Sequence, residues 1–504
     1  MSNANSLNFN FAVGILSGIA ISASVQYVVS VALGAKYGST VGSRSLSVVS
    51  GGAGTNKSVE ETFAKLSKEF TVPASKLQEM VRHFISEVKK SLVTDGQSSL
   101  LMIPTHVVSR PTGKELGSYL ALDMGGTNFR VCEVTLEGRG RVRMRQKKYT
   151  ISDSLKNGPG NELFDFFADA VVKFLQEADA DISHHRKLGF TFSFAVDQTS
   201  INRGTLMLWT KGFTCPGVIG NDVVQLLQEA FTRKASLGNL NITVSALVND
   251  TAGTLAAHAY TDPQTLIGVI LGTGTNAAYV ENVHNVKKYK GPISETSKEM
   301  IMNTEWGGYD EESVLPFTKY DVMVDRQSAN PNSQRLEKMI SGMYLGEVTR
   351  LVIMELISTG ELFSGRSSAQ IQKQYSFETA FMSRIERDHT LELSDTKAVI
   401  EDLLGVKPTT LDDRRIVKRI CELIGTRSAR LSAALIAGLV TKINKLDGCT
   451  VAIDGSLFEH YPHYANRMRD TLRELLGLTA ENIILDQARD GSGQGAALIA
   501  ALHG

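Results

Sequence analysis

The chain is poor in cysteine. Only Cys132, Cys215, Cys421 and Cys449 occur in 504 residues, far apart and with no CxxC pair or Cys/His cluster. That excludes a disulfide-stapled scaffold and a zinc site of the usual spacing, and it is the usage of a reducing compartment. Cys215, which lies near a motif discussed below, reads as an inert thiol. An excess of charge of one sign is missing too. Lys plus Arg and Asp plus Glu each number 53, so nothing supplies the basic excess that a nucleic-acid footprint needs. At the N-terminus charge is absent altogether. Phe11 to Ala35 carries none, no basic residue precedes Lys36, and no acid appears before Glu60. Without a basic n-region the segment is a poor cleaved secretory signal, and without arginine it is a poor import segment.

What the segment does have is length, since about 20 apolar residues cross a bilayer as one helix. Ser17, Ser22, Ser24, Gln26 and Ser30 weaken it. The first basic residues, Lys36 and Arg44, follow it, which leaves the C-terminal bulk facing the cytosol by the positive-inside bias. A membrane anchor over 11–35 is the expectation, with an import segment, a signal peptide, a false start and a buried helix as other readings. Lys36 to Lys57 is rich in Gly and Ser and reads as a flexible tether.

The remainder is ordinarily globular and too long for one simple core. Ser58 with Glu61 and Ser75 with Gln78 predict capping boxes that open two helices. Leu77, Val81, Phe84, Val88 and Leu92 recur at helical spacing. Strands are expected at 119–124, 129–136, 142–151, 188–194, 244–248, 267–271, 277–281, 451–453 and 483–485. Residues 335–441 read as mostly helical, and 493–502 as a final small-residue helix. Strand–turn–strand units recur in both halves, which predicts two α/β domains of related plan with a cleft between them.

Chemistry gathers at the turns. Leu120-Ala121-Leu122-Asp123 leads into Gly125-Gly126-Thr127-Asn128-Phe129-Arg130, a β-hairpin with a glycine turn. Its backbone N–H groups, Thr127 and Arg130 suit phosphate oxygens, and Asp123 stands where a magnesium–water shell is held; the bland reading is a plain hairpin. Gly272-Thr273-Gly274-Thr275-Asn276 repeats that logic, so the two turns read either as a pair gripping one polyphosphate or as unrelated hairpins. Asp454-Gly455-Ser456 is a third acid/Gly/hydroxyl turn, and Asp490-Gly491-Ser492-Gly493 opens the last helix, where anions bind readily. Asn249-Asp250-Thr251 ends a strand, the place where α/β sheets put chemistry, although Asp250 also suits a plain helix cap. Thr210-Lys211, Asn276, Glu305 and Glu337 complete the polar set; Glu337 alone reads as a solvated helix charge.

These motifs in this order resemble the hexokinase family of sugar kinases, from about Ser58 to Gly504. Leu188-Gly189-Phe190-Thr191-Phe192-Ser193-Phe194 through Trp209-Thr210-Lys211-Gly212-Phe213 carries most of the likeness, with Ser341-Gly342-Met343 and Leu345-Gly346-Glu347. The variant Val196-Asp197-Gln198-Thr199 is most similar to fungal glucokinases. The resemblance implies an α/β fold of two lobes, each with an RNase-H-like (actin-like ATPase) core. It implies N-terminal helices over 58–115 on the large lobe, a small lobe over 116–249 plus 490–504, and a large lobe over 250–489, after a leader and tether over 1–57.

It further implies ATP-dependent phosphorylation of a hexose 6-hydroxyl, with ATP and Mg2+ and with D-glucose the foremost substrate. Ser193, Thr210, Lys211, Asn249, Asp250, Asn276, Glu305 and Glu337 would line the hexose pocket, with Asp250 as general base and Lys211 and Arg130 supplying charge. Asp123, Gly125, Gly126, Thr127, Asn128, Arg130, Gly272, Thr273, Gly274, Asp454, Gly455, Ser456, Gly491 and Ser492 would meet the nucleotide, which itself carries the magnesium. Attachment to a membrane such as the mitochondrial outer membrane is an expectation by analogy. The other reading of the whole is a sugar sensor with little turnover. Three departures from the family pattern stand out. Ala195 replaces the usual Pro, which would loosen its loop and weaken sugar binding. Gly308-Tyr309 replaces a small residue and Phe. Ser456 replaces Thr and keeps the hydroxyl.

Overall fold

The computed structural model describes residues 53–503 except 126–127, 179, 182, 236–239 and 294–297, and the side chains of 53–58 and 128 are likewise outside the description. The uncharged segment 11–35, Gly126, Thr127 and the Asn128 side chain therefore lie outside the described residues. The strands are β1 (Ile103–Pro104), β2 (Leu116–Met124), β3 (Asn128–Glu137), β4 (Val142–Thr150), β5 (Arg186–Phe192), β6 (Val196–Ser200), β7 (Arg203–Leu206), β8 (Ile242–Val248), β9 (Thr265–Leu271), β10 (Thr275–Asn282), β11 (Glu299–Asn303), β12 (Cys449–Asp454) and β13 (Ile483–Gln487).

Two sheets share one plan. The first runs β4-β3-β2-β5-β8 and the second β11-β10-β9-β12-β13, with the short β1 added at the β11 edge. In each, three antiparallel strands are followed by two parallel ones. The predicted glycine hairpin is the β2–β3 pair, in register from Leu116↔Glu137 to Met124↔Phe129. β6 and β7 form a separate ribbon.

Between the sheets lie two small-residue helices, Asp250–Thr261 and Gly491–His503, in one buried cluster with Ala121, Ala246 and Ala278. Glycine lets the layers approach. A Cβ on Gly189 would sit 2.1 Å from the Ala496 carbonyl, one on Gly268 2.5 Å from the Thr251 carbonyl, and one on Gly495 1.9 Å from the Gly253 carbonyl. The outer face of the first sheet is aromatic: Phe190, Phe192, Phe194, Trp209 and Phe213 pack in succession, with Trp209 stacked on Phe213 at 5.3 Å. Such pairs add about 0.5–1.5 kcal/mol each beyond burial and stiffen the loop that carries Lys211.

The second sheet packs on the larger core. Its centre is the helix Leu411–Lys442, 32 residues long and apolar enough to cross a membrane, yet buried in the core. Helix Ala74–Val93 lays Leu77, Phe84, Val88 and Leu92 into the same core, while Val81 is only partly buried. Neither expected capping box forms. Ser58 lies inside the helix Ala53–Phe70, and Ser75 is the second residue of a helix whose cap, Pro73, makes no side-chain hydrogen bond. There the Pro73 carbonyl takes over, accepting from the backbone N–H of Lys76 and Leu77 at 3.0 and 3.1 Å. All four cysteines are buried and unpaired, and burial pushes every thiol up, Cys132 to about 12 and Cys449 to about 11.

Candidate active site

Asp250 stands where the chain leaves the first sheet. β8 ends at Val248, Asn249 caps the next helix by accepting from Thr251 N, and that helix packs on β9 of the second sheet. Asp250 Oδ1 also accepts from Thr251 N, at 2.9 Å. The carboxylate takes a hydrogen bond from the Ser193 hydroxyl and lies in the fields of Lys211 and Asp123. Burial dominates and holds its carboxyl above the usual aspartate value; the Asp123 charge adds to this, while Lys211 and Ser193 oppose it.

Glu305 and Glu337 share that field. Glu305 sits in a left-handed turn (φ 51°) after β11, with Oε1 accepting from Asn303 Nδ2 at 2.8 Å and from Asn276 Nδ2 at 3.3 Å. Burial pushes its carboxyl to about 7, with the Asp250 and Glu337 charges adding to the rise. Trp306 pins the turn through Nε1 to Thr275 Oγ1 at 3.0 Å. Glu337, on the short helix Arg335–Ile340, accepts from Thr275 N at 2.9 Å, and burial raises it as well. It is a packed carboxylate, not a solvated one. A Cβ on Gly274 would lie 2.6 Å from its Oε2, so this glycine, expected on the phosphate side, makes room for Glu337. Asn276 Nδ2 also reaches Asn303 Oδ1 at 2.8 Å and Asn249 Oδ1 at 3.4 Å, tying the second glycine turn to the Asp250 cap.

Lys211 is the cation of the cluster. Its backbone is left-handed (φ 56°), its ammonium donates to the Ser193 carbonyl at 2.7 Å and lies 5.2 Å from the Phe194 ring centre. Thr210 precedes it, partly buried. One lysine thus faces three desolvated carboxylates, and strained backbone at Lys211 and Glu305 is what a site held by its surroundings displays. At the Ser193–Ala195 bend the Ala195 carbonyl accepts from Met207 N at 3.0 Å. The extra hydroxyl of Tyr309, fully buried, pairs with His83 Nδ1 at 2.7 Å.

The side expected to meet phosphate is built on Arg130. Its guanidinium bonds the buried Asp123 carboxylate (Nε at 3.0 Å), Ser492 Oγ at 3.1 Å, and Asp490. Ser492 in turn donates to Asp123 at 2.8 Å. Gly491 N approaches Asp454 Oδ2 at 3.4 Å, and burial lifts the Asp454 carboxyl to about 6. The turns at 272–274 and 454–456 touch: Gly455 (φ 120°) is so close that a Cβ would meet the Leu271 carbonyl at 2.4 Å. Gly342 N and Met343 N donate to the carbonyls of Gly272 and Thr273. Gly125 closes the described part of the first turn.

Beyond Thr273 and Ser456 opens a cavity of about 770 Å3, walled by Met343, Phe377, Thr379, Ser383 and Tyr461 among others. Sequence reading did not assign this wall to the site, because residues 375–384 carry no motif and reach the site only through packing. Gln334 was missed as well. Its left-handed backbone (φ 54°) and amide pack on Gly307 and Gly308, beside the Glu305 turn. Its spacing of three residues from Glu337 is the one signal that points to it.

Sequence models described as hexokinase match residues 62–260 and 266–502. The chain is 41% identical over 450 residues to Hexokinase-1 of Schizosaccharomyces pombe, covering 89% of this chain and 92% of that one. It is 40% identical over 457 residues to Hexokinase-2 of Saccharomyces cerevisiae, covering 88% and 93%. Among solved structures, the hexokinase from Schistosoma mansoni complexed with glucose aligns with a TM-score of 0.82 at 37% identity, covering 88% of this chain and 99% of that one.

Proposed function

Since the chain belongs to the hexokinase family, we propose that it moves the γ-phosphoryl group of ATP onto the 6-hydroxyl of a hexose, D-glucose foremost, with Asp250 as general base. The observation that carries this reading is Asp250 itself: desolvated, above its ordinary pKa, held by Ser193, and in the fields of Lys211 and Asp123. A carboxylate made more basic by burial accepts the proton of an attacking hydroxyl more readily. Asn249, Asn276, Glu305 and Glu337 present acceptors and amides suited to sugar hydroxyls, and an analogue lacking one hydroxyl leaves a buried group unpaired at about 1–3 kcal/mol. The Schistosoma mansoni hexokinase reported above, solved with glucose, supports glucose as the sugar.

On the other side, Arg130, Ser492 and the turns at Thr273 and Gly455 would take the phosphates, and the cavity beyond them would take the nucleoside. Phosphoryl transfer asks mainly for alignment and charge neutralisation. A magnesium ion carried by the nucleotide would neutralise phosphate charge. Asp123 fits its water shell: it is a buried carboxylate flanked by a hydroxyl, with Arg130 balancing its charge. The test is a coupled assay of ATP-dependent glucose phosphorylation. Asp250→Ala lowers kcat by on the order of 10²–10⁴ with glucose still bound; retention of full kcat overturns the assignment.

We also propose that residues 11–35 attach the protein to a membrane with the catalytic part on the cytosolic side. Support comes from the segment's length without charge and the basic residues that follow it. Deleting residues 1–52 is expected to shift the protein from the membrane pellet to the supernatant; a deletion product that still pellets refutes the anchor.

A further inference from the structure

Glu337 faces the sugar site on a helix of six residues, too short to hold its own place. Its neighbour Lys338 is buried, and the Lys338 ammonium has three acceptors for its three N–H bonds: Asp325 Oδ1 at 2.7 Å, Asn330 O at 2.8 Å and Ser333 O at 2.9 Å. Asp325, also buried, comes from the helix Lys319–Gln327 and accepts from Asn332 N at 3.1 Å on both oxygens. The pair thus ties both ends and the middle of the loop 328–334. Within that loop Asn332 (φ 58°) and Gln334 (φ 54°) are left-handed, a conformation that non-glycine residues seldom adopt and that persists only where the surroundings impose it. Gln334 then abuts Gly307 and Gly308, and Glu337 meets Thr275 N. Arg335 straps the outer flank, bonding Asp310 and Glu312 at 3.0 and 2.9 Å.

A fully buried ion pair adds little net stability, since apolar residues of similar volume serve as well. Its value here is geometric. We propose that Lys338 and Asp325 are positioning residues of the hexose site: by closing the loop 328–334 they set Gln334 against the Glu305 turn and Glu337 against the second glycine turn. The proposal rests on the hexose reading above. Neither residue touches the sugar; both act through Gln334 and Glu337. Arginine does not replace Lys338, because its planar fork does not meet three convergent acceptors as an ammonium does.

The chain's two tryptophans, Trp209 and Trp306, flank Lys211 and Glu305, so their fluorescence reads sugar binding without turnover. The variants are Asp325→Asn, Lys338→Met and the double Lys338→Met/Asp325→Leu, made in the full chain. Lys338→Met and the double are expected to raise the glucose Kd and KM about 10-fold or more while KM for ATP stays within about two-fold, and Asp325→Asn several-fold. The double regains the melting temperature lost by Lys338→Met yet keeps the weak glucose binding, which a purely structural pair would not do. A parental glucose Kd in the double, or in Asp325→Asn where the double fails to fold, overturns the proposal. A parent chain that neither binds nor phosphorylates any hexose sinks the functional reading instead.

Discussion

Asp250 and Glu305 show how a single site sets opposing local effects against each other. Asp250 begins a helix, and the positive end of a helix dipole favours a carboxylate by roughly 0.3–1 kcal/mol. Burial outweighs this, and the carboxyl is held above its usual value. The acid limb of the kcat–pH profile is therefore expected at a higher pH than an ordinary aspartate gives. Glu305 goes further, to about 7. A carboxyl whose pKa rises on folding stabilises the fold while protonated, and that contribution fades as pH climbs from its ordinary value through 7. Glu305→Gln, neutral at every pH, is thus expected to melt higher than the parent at pH 8, by on the order of 2 °C, with the difference vanishing near pH 4.5. The same variant should raise KM for glucose about 10-fold or more, because a donor replaces an acceptor. Equal melting at pH 8 would show that the carboxylate is solvated.

The proposed phosphate side draws on turns as well as on Arg130 of β3 and Ser492 of the last helix, and two of those turns meet at one glycine. Gly455 combines φ 120° with a contact to the Leu271 carbonyl that admits no Cβ. Alanine there must push the turn at 454–456 away from the turn at 272–274. Gly455→Ala is expected to raise KM for ATP about 10-fold or more while the glucose Kd read by tryptophan fluorescence stays within about two-fold. A parental KM for ATP would mean that the nucleotide does not span these turns. The short helix Arg335–Ile340 makes the complementary case: its place comes from a buried ion pair and an arginine strap, not from its own six residues.

At the scale of the whole molecule, two sheets of one plan are joined through two helices that touch glycine to glycine. The chain crosses between the sheets at Asn249–Asp250, so the proposed base stands where the two halves meet. The layer spacing leaves no room for a methyl group at Gly495, whose Cβ would lie 1.9 Å from the Gly253 carbonyl. Gly495→Ala is expected to lower the melting temperature by about 5 °C or more and to raise KM for both substrates together, since it parts the layers that align the two half-sites. A loss of stability with both KM values intact would show that the halves need no fixed spacing.

Much of this was legible in the residues. Alternation and glycine punctuation located the β2–β3 hairpin, the β9–β10 turn and the final helix, because those signals are local: strand period, turn conformation and small-residue composition. The polar set from Ser193 to Glu337 was legible as motifs. The capping boxes at Ser58 and Ser75 misled: the first lies inside a longer helix, where no N–H is orphaned, and at the second the helix starts earlier, at Ala74, with the Pro73 carbonyl accepting from first-turn N–H groups. The wall of the large cavity, the role of Gln334 and the burial of Glu337 were not legible, since each depends on segments far apart in the chain being packed together. The sequence by itself determined which groups exist, a surplus of carboxylates and amides, one lysine and several glycine turns, since side-chain chemistry and turn conformation are local. Only the tertiary structure decided which of them lose water and face one another, because desolvation and the fields it strengthens arise from neighbours that the chain order does not place side by side.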